Sequence, residues 1–225
     1  MGTNKAFYQL YQLKDNNEAY TTKCESDKLV DFIIERKAIP FNTKIWLPFD
    51  TKLSRIYQSL KEKGFTNLIL TNLENGEDFY LIEPKEWDMI ITNPPFSNRN
   101  QLFHRLFSFG KPFIILQGTQ MWNNCYAVNY LCKYDGEIAF LLPERRMRFM
   151  TEKDGRVHTH RTGASFYSFW LTYKISWGGV FIRLLDNGRE KELEILDLNG
   201  NPILDNHFNL FSFNWKEQGN NDNNE

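Results

Sequence analysis

At 225 residues with 41% apolar side chains, the chain can bury one sizeable core and is short for two domains. Its formal charge of −1 excludes a global electrostatic grip on nucleic acid, so any such contact must be a local basic patch on a near-neutral body. Cys24, Cys125 and Cys132 form an odd set without paired short spacing, which excludes a disulfide frame or zinc site and predicts reduced thiols.

His158 and His160 lie close together, but no cysteine or carboxylate spacing matches them, so no metal site is expected. The N-terminus is polar and no apolar run reaches spanning length. No signal peptide or membrane contact is therefore expected, and the cytoplasm is the expected compartment.

The first 25 or so residues mix polar and aromatic side chains without a period. Ser26 or Asp27 is a candidate cap for a helix over Leu29, Val30, Phe32, Ile33 and Ile34, which ends before Pro40. Residues 44–49 read as a short buried strand that turns at Pro48-Phe49-Asp50. Leu53, Ile56, Tyr57 and Leu60 recur at helical spacing, and Gly64 supplies a stop. Residues 67–71, 79–82 and 87–91 read as three further strands.

Leu102, Phe103, Leu106 and Phe107 form the next helical stripe, closed by Gly110. A strand over 112–116, a helix over 121–132 and strands over 137–142 and 166–173 follow. Asp186-Asn187-Gly188 signals a hairpin between 180–185 and 190–196, and 198–202 signals another reversal. The asparagine-rich residues 219–225 read as disordered. Apolar strands alternating with amphipathic helices predict an α/β fold with a mostly parallel sheet and helices on both faces. Ligands in such sheets bind at the carboxyl ends of strands, where the turns at Asp50 and Asn93 fall.

The most informative stretch is Trp87-Asp88-Met89-Ile90-Ile91-Thr92-Asn93-Pro94-Pro95-Phe96-Ser97. Pro94 and Pro95 fix φ near −65° and remove two backbone donors, which stiffens the turn and aims its carbonyls. The Asn93 amide oxygen and the Pro94 carbonyl can then accept from one amino group, while Phe96 offers a flat surface for the base that carries it. Two acceptors on one exocyclic nitrogen draw it toward tetrahedral and free its lone pair for attack on an electrophilic methyl. A plain turn closing a buried strand is the bland alternative.

This motif resembles the catalytic motif of S-adenosylmethionine-dependent amino-methyltransferases, above all adenine-N6 DNA methyltransferases of the phage type and those like the EcoRI modification enzyme. The resemblance spans roughly 19–175 and implies a Rossmann-like class I methyltransferase fold. Residues 1–175 would be the catalytic domain, 176–216 a β-rich C-terminal hairpin extension packed on it, and 217–225 a disordered tail.

The resemblance also implies site roles. Tyr20 and Thr21, in Ala19-Tyr20-Thr21-Thr22, match the Tyr-Thr of a Tyr-Thr-Pro segment that touches the methionine end of the cofactor. Pro48, Phe49 and Asp50 stand at the first cofactor loop, here followed by Thr51-Lys52-Leu53-Ser54 with no glycine. Asp78 would accept from the cofactor's adenine amine while Phe79 packs on its face, and Asn72 or Glu74 would hold the ribose. Asn93 counts among the cofactor contacts too.

The segment 144–161 is the strongest basic cluster and follows a strand directly, which places it on the rim of the catalytic turn. Arg145, Arg146, Arg148, Lys153, Arg156 and Arg161, with Arg99, are the candidate nucleic-acid contacts. A solvated loop of snorkelling arginines is the alternative.

The expected activity is therefore methyl transfer from S-adenosylmethionine, without metal, to N6 of an extruded DNA adenine. DNA is the expected partner ahead of RNA, and monomer and homodimer stay open. Methylation of RNA or of protein glutamine is the second reading. The third is a non-catalytic, methyltransferase-like binding protein, which the glycine-free loop favours.

Overall fold

The computed structural model describes residues 20–95, 97–153, 156–159, 167–184 and 195–196. In chain order the elements begin with β1 (Tyr20–Thr21), α1 (Lys23–Glu35), β2 (Ile45–Pro48), α2 (Arg55–Glu62) and β3 (Leu68–Thr71). They continue with β4 (Met89–Thr92), α3 (Arg99–Ser108), β5 (Phe113–Gly118), α4 (Cys125–Lys133) and β6 (Ile138–Pro143). The last are β7 (Phe149–Lys153), β8 (Arg156–Thr159), β9 (Ser168–Tyr173), β10 (Phe181–Leu184) and β11 (Ile195–Leu196).

The central sheet has seven strands in the order β10-β6-β9-β5-β4-β2-β3. Every neighbouring pair is parallel except the two made by β9, which runs against both β5 and β6. The other six strands thus point one way, and their carboxyl ends share one rim.

Side chains alternate across the pleat and sort into two cores. On one face Ile45, Leu47, Ile91 and Ile114 meet Leu29 and Ile33 of α1 and Ile56 and Leu60 of α2. On the other Trp46, Ile90, Phe113 and Ile115 meet Leu102, Phe103, Leu106 and Phe107 of α3 and Ala127 of α4. Each such large side chain contributes about 1.5–3 kcal/mol on burial, so sheet and helices hold each other. This is a Rossmann-like α/β architecture with helices on both faces, as the alternation predicts.

Four sequence expectations are corrected. The first helix starts at Lys23, capped by Thr22, whose Oγ1 accepts from Glu25 N at 3.3 Å. Ser26 is a buried residue of its first turn, because β1 ends at Thr21 and leaves no linker.

Residues 79–82 are no strand. The Asp78 carbonyl accepts from both Leu81 N and Ile82 N, and Arg105 of α3 holds the Phe79 and Ile82 carbonyls at 3.3 and 3.0 Å. A turn whose polar groups are already satisfied has no reason to join a sheet.

The helix expected over 121–132 is split into a 3₁₀ turn, Thr119–Asn123, and α4, with Asn124 extended between them.

The arms of the expected C-terminal hairpin lie in different sheets. β10 pairs with β6, while β11 pairs with β8 in a small sheet ordered β1-β7-β8-β11. The signals at 186–188 and 198–202 and the tail lie outside the described residues. Among the described residues no helix is long and apolar enough to cross a membrane.

Candidate active site

Strand β2 has β3 on one side and β4 on the other. The chain leaves β2 toward β3 and leaves β4 toward β5, in opposite directions, so the switch point where such sheets open a crevice lies between the carboxyl ends of β2 and β4. Both expected site turns fall there. The recorded β2–β4 register runs Ile45↔Met89 and Trp46↔Ile90, and at the ends a side chain takes over. Pro48 has no N–H to donate. Thr92, fully buried, reaches the Pro48 carbonyl at 2.7 Å and Asp50 Oδ2 at 2.8 Å through its hydroxyl.

The glycine-free loop turns by another means. Phe49 adopts φ 72°, the left-handed region where a glycine would be at ease, while its N–H donates to the Thr71 carbonyl at 2.9 Å. Asp50 then folds inward. It is 6% exposed, and the Ser54 hydroxyl donates to its Oδ1. Burial pushes its carboxyl up to about 6, against the opposing pull of the Ser54 and Thr92 hydroxyls. The Asp50 side chain thus braces the loop.

Across the crevice, β4 delivers Asn93, half-buried with its Oδ1 screened from solvent, then buried Pro94 and half-buried Pro95. Phe96 lies outside the described residues. Asn98, at φ 54°, turns the chain into α3, whose first residue, Arg99, is half-buried.

Phe49 belongs to a cluster of tilted aromatic rings. Its ring centroid lies 4.9 Å from Phe79 and 6.4 Å from Tyr80, and Phe79 lies 5.3 Å from Trp46. The Trp46 indole donates to Thr71 Oγ1 at 2.8 Å. Phe79, 2% exposed, is a core ring, whereas Phe49 and Tyr80 are half-buried. Asp78 is half-buried, and its Oδ1 accepts from Tyr80 N at 2.8 Å. Buried Asn72 caps the 3₁₀ turn Leu73–Asn75, with Asn75 N at 3.2 Å from its Oδ1. Glu74 belongs to that same turn.

The basic segment does reach this rim, because β6 points the same way as β4 and ends at Pro143. Arg145 and Arg146 are exposed, and the Arg146 guanidinium lies 4.3 Å over the ring of exposed Tyr167. The Tyr167 carbonyl accepts from Thr119 N, just past β5, at 2.9 Å. Glu144 pairs with Arg183.

Half of the segment is not loop. β7 and β8 form an antiparallel ladder with Lys153↔Arg156 as the last pair. Arg161 lies outside the described residues.

β1 pairs with β7 as Tyr20↔Met150 and Thr21↔Phe149, so the N-terminal Tyr-Thr and the basic segment are neighbours. Buried Glu25 accepts from the backbone N of half-buried Arg148 at 3.5 Å. Sequence reasoning missed Thr92, Ser54, Tyr80 and Tyr167. Only Tyr80, beside Phe79 after an acid, carried a local signal. Among the described residues no group of three His, Cys, Asp or Glu side chains could hold a metal ion.

No family model matches this chain, and no curated protein matches it. Among solved structures, it is similar to a protein of Pyrococcus horikoshii provisionally described as an RNA methyltransferase, with TM-score 0.41, 8% identity, and 72% of this chain and 89% of that one covered. It is also similar to an S-adenosylmethionine-dependent O-methyltransferase of Thermotoga maritima, with TM-score 0.39, 10% identity, and 72% and 68% covered. Any assignment of activity stands on the site, not on these loose overlaps.

Proposed function

We propose that this chain transfers a methyl group from S-adenosylmethionine to the exocyclic N6 amino group of adenine in DNA, after the base leaves the stack. The observation that carries this reading is the placement of Asn93-Pro94-Pro95 at the end of β4, across the crevice from the β2 loop. Asn93 and the Pro94 carbonyl accept from the target amino group, and Phe96 supplies the stacking surface.

The residues at the β2 end fit the cofactor. Half-buried Phe49 and Tyr80 offer ring surface beside half-buried Asp78, whose carboxylate keeps acceptor capacity after binding Tyr80 N. Left-handed Phe49 supports the catalytic reading over the binding-only one, because the chain makes this turn without a glycine. Tyr20 and Thr21, held on β7, would close the methionine end. When bound, S-adenosylmethionine supplies an electrophilic methyl group to the amine lone pair. Exposed Arg145 and Arg146, with Tyr167, would meet the phosphate backbone and unstacked bases.

The test is calorimetric titration with S-adenosylmethionine and S-adenosylhomocysteine, then labelled-methyl transfer to DNA, RNA and protein. Micromolar binding, about −8 kcal/mol, and label in N6-methyladenine of DNA are expected. Label confined to RNA or glutamine would replace the acceptor. No cofactor binding with DNA present would leave a binding protein.

A further inference from the structure

The crevice holds one contact that the motif does not explain. Thr92 lies inside the strand, immediately before Asn93, and its hydroxyl touches two acceptors of the opposite loop at 2.7 and 2.8 Å. We propose that Thr92 is a positioning residue that couples the cofactor loop to the catalytic turn through the Pro48 carbonyl and the Asp50 carboxyl. This rests on the methyl-transfer reading and adds to it a reason why a glycine-free loop can serve.

A hydroxyl carries one proton, and a carbonyl oxygen carries none. With the Thr92 proton on the Pro48 carbonyl, the 2.8 Å contact to Asp50 Oδ2 needs a second proton, which Asp50 holds as a neutral acid. Burial supplies the means by pushing that carboxyl up to about 6, and the Ser54 and Thr92 hydroxyls are the hydrogen bonds that act on it. With Asp50 ionised, the Thr92 proton turns to the carboxylate, so the link persists through Asp50 instead of Pro48.

The coupling matters because Phe49, between Pro48 and Asp50, is held at φ 72°. A strained residue stays in place only where its surroundings over-determine it. Here the Thr92 hydroxyl lies within hydrogen-bond distance of the residues on both sides of it, and in either protonation state it holds at least one of them. Its backbone leads directly into Asn93, so slack in the loop would pass to the amide that receives the target amine. Displacement of such a group by about 1 Å costs on the order of 100-fold in rate.

The experiment pairs kinetics with a substrate-free readout on the full chain. Thr92→Val should lower kcat for methyl transfer about 10- to 100-fold with little change in KM for nucleic acid, and Thr92→Ser should recover most of it. In urea unfolding, Thr92→Val and Asp50→Asn combined should deviate from additivity by about threefold or more in the unfolding constant. Additive unfolding, a Val variant with normal kcat, or a Ser variant as slow as Val would overturn the proposal. Non-additive unfolding in that cycle, together with a wild-type protein that binds no S-adenosylmethionine and transfers no methyl, would overturn the methyl-transfer reading and leave Thr92 as a structural brace only.

Discussion

Two neighbouring strand ends face each other across the crevice, and each solves the same problem differently. The end of β4 is stiffened by covalent geometry, since Pro94 and Pro95 restrict the backbone whatever surrounds them. The end of β2 has one proline, then Phe49 in a left-handed conformation and an inward carboxyl tied to Thr92 and Ser54. Rigidity that resides in residue type survives changes elsewhere, whereas rigidity that resides in contacts can be removed one contact at a time.

The hardest break is at the proline-stiffened end. Asn93→Ala should lower methyl transfer by two to three orders of magnitude while cofactor affinity changes by less than about threefold, read by labelled-methyl kinetics beside calorimetry. A proportional loss of both would mean that the two ends are not separable.

At the contact-stiffened end, Asp50→Asn removes a buried acid. Its pKa is raised from 3.8 to about 6 in the folded protein. The acid's contribution to stability is therefore full below about pH 4 and is lost as pH rises toward 6. Wild type should lose about 2 kcal/mol from this group between pH 4 and pH 6, and the Asn variant should not. Urea titrations at pH 4, 6 and 8 check it, and parallel curves would refute the burial of an ionisable Asp50.

A smaller effect isolates the backbone. Phe49→Gly and Phe49→Ala both lose the ring, but only alanine keeps the left-handed penalty, so the glycine variant should be the more stable by about 1 kcal/mol. The reverse order, usual for alanine and glycine, would deny the strain.

The mildest change lies on the rim outside both ends. Arg145→Ala with Arg146→Ala should weaken nucleic-acid binding and reduce the salt slope by roughly 1–2, with catalysis at saturation intact. An unchanged slope returns these arginines to plain surface.

The proline-stiffened end was legible because its chemistry is carried by residue types in an unbroken run. Strand positions were legible for the same reason, since Ile90, Ile91, Ile114 and Ile115 are apolar on both faces of a covered sheet. What escaped were features made by partners far along the chain. Residues 79–82 have strand composition, but Asp78 and Arg105 take their backbone groups. The Asp186-Asn187-Gly188 signal is local, while β10 and β11 go where edges of two different sheets are open. Thr92 looks like any polar residue at a strand end until Pro48 and Asp50 are seen beside it.

The pairing of β1 with β7 carries a kinetic consequence. Tyr20 and Met150 meet across a loop that encloses most of the central sheet, so the entropy of closing that loop opposes the contact until the intervening elements have packed. Contacts of such long sequence separation are intrinsically slow to form. A nascent chain can thus build the crevice from β2 to β5 while the strap bearing Tyr20 is still open. That strap cannot close before Phe149 and Met150 are made, and the sheet beneath it is completed only when β9 enters between β5 and β6.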